Sequence, residues 1–93
     1  MRLSDSEIEI IKNTIMAFDR DAEVYLFGSR TDDAAKGGDI DILVISENLN
    51  FADKLSIKAR IFQRMEEQKL DLVVSKDVQD PFVRMAIERG VRL

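Results

Sequence analysis

The segments Leu26-Phe27-Gly28-Ser29-Arg30 and Gly38-Asp39-Ile40-Asp41-Ile42-Leu43-Val44 carry the most information in this chain. The first begins with strand-forming residues and turns at Gly28, which predicts a buried strand with Gly28 and Ser29 at its carboxyl end. Because glycine lacks a Cβ atom, a ligand can approach the main chain there, and Ser29 is a good N-cap for a following helical turn. The start of a helix attracts anions, so this turn predicts a phosphate-binding site. The alternative is a strand-to-helix turn that binds nothing.

Asp39 and Asp41 lie two residues apart at the start of a predicted strand. The side-chain period of two places both carboxylates on one face of that strand, with Ile40 and Ile42 on the other. Two hard oxygen ligands side by side suit Mg²⁺, which takes its other ligands from water and substrate phosphates. A strand that begins with solvated acids is the alternative. The apolar residues that follow favour a strand buried in the sheet, where two like charges are costly unless a cation compensates them.

A third carboxylate, Asp71, interrupts the otherwise apolar segment 70–74. If this segment is a strand beside the one that carries Asp39 and Asp41, Asp71 joins them in one cluster. Its role there is that of a metal ligand, or of a base near an attacking hydroxyl. Alternatively, Asp71 lies in water at the entrance to its strand.

The order of these residues resembles the polymerase-β-like nucleotidyltransferase superfamily: Gly28-Ser29, nine residues, Asp39-x-Asp41, and a lone aspartate on a later strand. The resemblance is to the minimal, single-domain members, the MNT domains, whose signature is Gly-Ser-Arg, a loop, and Ser-Asp-apolar-Asp. It covers nearly the whole chain. It implies that residues 1–93 form a single minimal nucleotidyltransferase domain of the α/β (α+β) class, with a short mixed β-sheet flanked by helices.

The resemblance also implies a role for each motif. Gly28, Ser29 and Arg30 would bind the triphosphate of ATP or another nucleoside triphosphate, although Arg30 has the alternative of a solvated turn residue. The catalytic residues, and the ligands of two Mg²⁺ ions, would be Asp39, Asp41 and Asp71. The sequence departs from the family pattern at Thr31, Asp32, Asp33, Ala34 and Gly38. Acidic residues near a triphosphate weaken its binding, which bears on catalysis rather than on the fold.

The composition excludes several classes of site. The 93 residues contain no cysteine and no histidine, which excludes disulfides, thiol metal sites and histidine bases. A net charge of −4 argues against non-specific nucleic-acid binding, which needs an excess of Lys and Arg. No apolar segment approaches the ~20 residues of a membrane span, and the first residues lack a secretory pattern. We therefore expect a cytoplasmic protein without membrane contact.

Periodicity and capping residues predict the order of helices and strands. Ser4 and Glu7 are in capping-box register at the start of the first helix, and Asp80-Pro81 and Gly90 are start and stop signals for the last. The predicted helices cover about 4–18, 51–68 and 81–89, and the predicted strands about 23–28, 40–45 and 70–75. The first helix has an apolar stripe of Ile8, Ile11, Ile15 and Phe18.

The second helix has more apolar surface than one contact face needs. The stripe that we predict to be core contains Phe51, Leu55, Ala59, Phe62 and Met65. Ile57 and Ile61 lie well round from it at roughly 100° per residue. They predict either burial against the first helix or a contact surface for a partner subunit.

Together with the resemblance, these residues predict Mg²⁺-dependent transfer of a nucleoside monophosphate, such as AMP from ATP, to a hydroxyl. Minimal members are commonly paired with a helical protein of the HEPN class, and in many such toxin–antitoxin pairs the MNT protein adenylylates the toxin. The resemblance therefore implies a HEPN-type partner, an antitoxin role and a partner tyrosine as acceptor.

Two other functions stay open at this point. The first is a catalytically weak or inactive subunit that neutralises its partner by binding alone, which Asp32, Asp33 and the Ile57–Ile61 surface suggest. The second is transfer to a small molecule, for which the pocket would need a second subunit. A homo-oligomer is also compatible with the sequence.

Overall fold

The computed structural model describes residues 3–28, 40–65 and 70–93. Within these ranges the chain forms three helices and four strands. In chain order they are α1 (Asp5–Phe18), β1 (Glu23–Phe27), β2 (Ile40–Ile45), α2 (Phe51–Arg64), β3 (Leu70–Ser75), α3 (Pro81–Arg89) and β4 (Val91–Arg92). The predicted α+β class, with a short mixed sheet flanked by helices, is confirmed. No helix in the described part of the chain is both long enough and apolar enough to cross a membrane.

Local hydrogen bonds explain where the helices begin. At the start of α1 the Glu7 amide donates to Ser4 Oγ at 3.2 Å and the Ser4 amide donates to Glu7 Oε1 at 3.0 Å, a reciprocal capping box. Asn50 and Asp53 form the same box at the start of α2. Asp80 caps α3 through the amides of Phe82 and Val83, and Pro81 occupies the first turn. The predicted helix starts are therefore correct.

The sheet has the strand order β3-β2-β1-β4. Strand β2 is antiparallel to β1 and parallel to β3, and α2 makes the crossover between β2 and β3. Because of these directions, the carboxyl end of β1 lies beside the amino ends of β2 and β3. Gly28, Asp41 and Asp71 therefore lie at one end of the sheet.

The two faces of the sheet are covered differently. One face packs against α1 and α2 and contains the larger core, formed by Ile11, Ile15, Val24, Leu26, Ile40, Ile42, Val44, Ile57, Ile61, Leu70 and Leu72 with smaller neighbours. The other face packs against α3 through Leu43, Val83 and Ala86, with the partly buried Tyr25, Phe27, Ile45, Val73 and Ile87 around them. We call them the two-helix face and the α3 face. Strand residues alternate between them, so Asp41 and Asp71 lie on the α3 face.

The predicted core stripe of α2 is wrong for four of its five residues, since only Met65 packs against the larger core. Phe51, Leu55 and Phe62 are 70%, 51% and 46% exposed, whereas Ile57 and Ile61 are 0% and 2% exposed and belong to the larger core. The interpretation that Ile57 and Ile61 are buried is confirmed, and that of a partner surface at these two residues is wrong. The helix has two apolar arcs, and its packing against α1 and the sheet selects the isoleucine arc. Helix α2 also ends earlier than predicted, since Met65 is an extended C-cap.

The last residues add a strand that the sequence did not predict. Val91 and Arg92 pair with Leu26 and Tyr25, and the Leu93 amide donates to the Val24 carbonyl at 2.9 Å. Gly90 makes this return possible, because a Cβ atom there would lie 2.6 Å from the Leu26 carbonyl oxygen. Strand β1 is thus held between β2 and the end of the described chain.

A buried polar link joins α1 to the turn after β2. Ser46 Oγ donates to Asp19 Oδ2 at 2.6 Å and accepts the amides of Asn48 and Leu49, each at 3.1 Å. The Ser46 hydroxyl is the main reason that the pKa of Asp19 lies below its ordinary value; burial acts in the opposite sense, and the Asp21 amide and Asn48 lower the pKa further. The link lies at the end of the sheet opposite to Asp41 and Asp71.

Candidate active site

The turn after β1 brings the main chain against a carboxylate. Gly28 has φ = 79°, in the left-handed region that residues with a Cβ atom rarely adopt. A Cβ atom at this position would overlap the Asp41 carboxylate oxygen and lie 3.0 Å from Asp41 Cγ. Position 28 therefore requires glycine for its dihedral angle and for the space that Asp41 occupies.

Asp41 and Asp71 are side by side on neighbouring strands. They are Cα partners in the parallel pairing of β2 with β3, and both are partly buried on the α3 face. Partners across two strands point to the same side of the sheet, where the strands are about 4.8 Å apart. The sequence left open whether β3 lies beside β2. The observed register shows that the two strands are neighbours, with Asp41 paired with Asp71.

The remaining predicted site residues lie outside the described residues. These are Ser29, Arg30 and Asp39, together with the departures from the family pattern between Thr31 and Gly38. The structure thus brings together Gly28, Asp41 and Asp71, and their functional roles stay predictions. Within 3–28, 40–65 and 70–93, no group of three or more acidic, cysteine or histidine side chains is arranged to hold a metal ion. The described residues therefore supply two carboxylates to the candidate site, those of Asp41 and Asp71.

An aromatic pair that the sequence did not reveal flanks these acids. Phe27 is the Cα partner of Asp41 in the antiparallel pairing of β1 with β2, so it lies on the same face. Its ring meets that of Phe82 edge to face, with centroids 5.7 Å apart and an interplanar angle of 84°. Phe82 is in the first turn of α3 and is 44% exposed. Its position directly after Pro81 shows that it belongs to a helix start, but no local pattern identifies Phe27 as its neighbour.

A second group of acids lies at the opposite end of the sheet. Asp19, Asp21, Glu23 and Glu47 help to line a cavity of about 370 Å³ there. Asp19 is engaged by Ser46 and the Asp21 amide, which gives it a structural role. The position of Asp19 is thereby explained without a bound ligand.

Comparison with known proteins identifies one family. Residues 9–93 match the protein family described as "Polymerase beta, Nucleotidyltransferase". The match includes Gly28, Asp41 and Asp71, and the segments 29–39 and 66–69 between the described ranges. Comparison with curated protein sequences found no match.

Proposed function

The chain belongs to the polymerase β nucleotidyltransferase family, and on this premise we propose that it transfers a nucleoside monophosphate from a nucleoside triphosphate to a hydroxyl group. The observation that supports this proposal best is the contact between Gly28 and Asp41, with Asp71 beside Asp41 on the next strand. The contact joins a turn where a phosphate can approach the main chain to carboxylates that bind cations.

In the proposed reaction the acceptor oxygen attacks the α-phosphorus. The bond between the α-phosphorus and the bridging oxygen to the β-phosphate breaks, and pyrophosphate leaves with the electron pair. The hydroxyl proton passes to a carboxylate of the aspartate group or to water. The protein contributes mainly positioning: Gly28 admits the triphosphate to the backbone, and Ser29 and Arg30, outside the described residues, would contact its oxygens.

The donor set fits a hard divalent cation. Asp41 and Asp71 offer carboxylate oxygens from adjacent strands on a face that α3 covers only in part, and oxygen ligands of this kind suit Mg²⁺. Asp39 would be the third ligand. When bound, one or two Mg²⁺ ions would neutralise the charge that develops on the phosphate and leaving oxygens.

We further propose that ATP is the donor and that the acceptor is a hydroxyl of a helical partner protein of the HEPN type, with the chain as the antitoxin. The support is the resemblance of the motif order to MNT domains.

One observation favours a second function, neutralisation of a partner by binding alone. Phe51, Leu55 and Phe62 of α2 are exposed, and α2 covers the two-helix face, across the sheet from Asp41 and Asp71. Neutralisation of a partner bound there would not depend on a working transfer site. The two functions therefore predict different consequences for loss of the acids.

The test is incubation of the purified chain with α-labelled ATP, Mg²⁺ and a lysate of the cells that produce it, followed by a denaturing gel. The Asp41→Asn/Asp71→Asn variant is compared with Glu47→Gln, an exposed control. We expect a labelled band with wild type and Glu47→Gln, and none with the double variant. A band of equal strength with the double variant would overturn the site assignment. Neutralisation of a demonstrated partner by the double variant would establish the binding function instead.

A further inference from the structure

The outward side of α2 is an apolar surface. Phe51, Leu55 and Phe62 are 70%, 51% and 46% exposed, and Ala52 and Ala59 are exposed beside them. At 100° per residue these five side chains fall within an arc of about 100°, and at 1.5 Å per residue they extend over about 16 Å of helix. We call this the α2 surface. Soluble proteins rarely expose such a continuous apolar stripe without an interaction that covers it.

The shape of the α2 surface suits a helix. Its three large side chains lie within about 40° of one another, and the alanines at 52 and 59, two turns apart, lie beside them at about 80–100°. A ridge of large side chains next to small residues packs against the ridges and grooves of a second helix at an axial separation of about 8–10 Å. The edge strand of a partner's sheet is a poorer match, because an edge strand pairs with exposed backbone donors and acceptors, which an α-helix does not offer.

A cavity at the amino end of the α2 surface offers an anchor point. It has a volume of about 230 Å³ and is lined by Leu49, Asn50, Phe51, Lys54 and Val74. Apolar side chains that fill such pockets contribute much of the affinity of protein interfaces. The presence of Lys54 in its wall places a positive charge at the same point.

The charge around the α2 surface is opposite to that of the chain. Helix α2 contains four basic residues and one acid, a net charge of +3, whereas the whole chain carries −4. With Phe51 at 0°, Lys58 borders the apolar arc at about −20° and Lys54 follows at about −60°. Arg60 lies farther round the helix at about 180°, where its guanidinium is 4.8 Å from the centre of the Phe18 ring. A partner that covers this surface therefore meets positive charge along the margin that Lys54 and Lys58 form.

We propose that the α2 surface is the docking site for an amphipathic helix of a partner protein, with acidic residues along one side of the partner helix's apolar face. An apolar partner side chain fills the cavity beside Phe51, and the acids face Lys54 and Lys58. A second copy is a poorer occupant, because a symmetric dimer through α2 would bring two helices of charge +3 together.

This inference takes from the proposed function only that a protein partner exists. The α2 surface and the aspartates lie on opposite sides of the sheet, so docking can be measured as binding while transfer is measured as labelling. Absence of labelling by the wild-type chain despite intact partner binding would count against the transfer function and leave the docking proposal standing, and loss of binding in an α2 variant would say nothing against the aspartates.

The first experiment places a photo-crosslinking amino acid at Ala59, and separately at the exposed Asn13 of α1, in the full chain expressed in its native cells. We expect Ala59 to crosslink to one partner, through a helical segment with Asp or Glu along one side of an apolar face, and Asn13 not to crosslink to it. Crosslinking to a second copy, to a segment without this pattern, or to nothing would overturn the proposal.

The second experiment measures the affinity of the purified partner so identified by calorimetry. We expect Leu55→Asp to weaken binding about 100-fold and Lys58→Glu about 5-fold, with the effect of Lys58→Glu shrinking as salt is raised. Met16→Asp, a change at a similarly exposed apolar residue of α1, should leave the affinity within about twofold. Far-UV circular dichroism and thermal unfolding verify that each variant is folded. Equal affinity of Leu55→Asp and wild type would overturn the proposal.

Discussion

Gly28 and Asp41 are so close that a single methyl group added at Gly28 would overlap the Asp41 carboxylate. The two residues come from the two motifs that are most informative in the sequence, and the antiparallel pairing of Phe27 with Asp41 brings them together. The turn and the acid therefore form one structural unit.

Replacement of Gly28 by alanine should damage both stability and transfer. Alanine must adopt φ = 79° and displace the Asp41 carboxylate. We expect a loss of about 1–3 kcal/mol in the free energy of unfolding, measured with urea, and a fall of about 100-fold in the rate of transfer. Gly28→Asn separates the two causes, since asparagine tolerates positive φ better than alanine but also carries a Cβ atom. Wild-type transfer by both variants would contradict a close fit at this position.

Replacement of Asp71 by asparagine should remove a response to metal without unfolding the protein. Asp71 is only partly buried, so we expect the melting temperature without metal to change little. Wild type should melt at a higher temperature in Mg²⁺ at roughly 100 times the dissociation constant of the site than in EDTA. The reason is that a ligand that binds only the folded state stabilises that state. Asp71→Asn should lose most of this increase, and Glu47→Gln should retain it. Calorimetry in both buffers makes the measurement, and an unchanged response in Asp71→Asn would remove that residue from the metal site.

The hydrogen bond between Ser46 and Asp19 should make the free energy of unfolding depend on pH. Because folding lowers the pKa of Asp19, the ionised carboxylate favours the folded state. The contribution of Asp19 to the free energy of unfolding is complete above its pKa in the unfolded chain, about 4. That contribution is lost as the pH falls through the lower pKa that Asp19 has in the folded protein. Ser46→Ala should cost about 1.5–3 kcal/mol at pH 7 and much less at pH 2.5. Urea unfolding at both pH values makes the comparison, with the exposed Ser56→Ala as control. A cost independent of pH would show that the hydroxyl acts without the charge of Asp19.

The observed orientation of α2 predicts opposite results for two similar changes. Ile57→Ala removes a fully buried side chain and should cost about 2–5 kcal/mol of unfolding free energy. Leu55→Ala, two residues away and 51% exposed, should change it by no more than about 0.5 kcal/mol in the isolated protein. Thermal or urea unfolding distinguishes the two. Similar costs would mean that Leu55 is covered in solution.

The elements that the sequence predicted well are those with local causes. The bounds of β2 and β3 agree with prediction, and β1 is one residue shorter than expected. The capping box at Ser4 and the Asp80-Pro81 start depend on residues within one helical turn. The pairing of Asp41 with Asp71 was predicted only on the condition that their strands are neighbours, since register depends on the crossover and not on either strand alone.

The elements that the sequence did not predict depend on distant contacts. Helix α2 has two apolar arcs, and only its packing against α1 and the sheet shows which arc is buried. Strand β4 has two residues, too few for any periodicity, and is defined by its pairing with β1. The contact between Phe27 and Phe82 joins residues that are far apart in the chain, so no local pattern indicates it.

The return of the chain to β1 has a consequence for the time at which the protein can mature. Strand β1 receives its second neighbour from residues 91–92, and the Val24 carbonyl receives its donor from Leu93. During synthesis at about 5–20 residues per second, β1 and β2 emerge from the ribosome seconds before these last residues do. Until then the outer edge of β1, which leads into Gly28, has no strand beside it. A nascent chain is therefore expected to complete the neighbours of β1, the strand that leads into the turn at Gly28, only after residue 93 has left the exit tunnel.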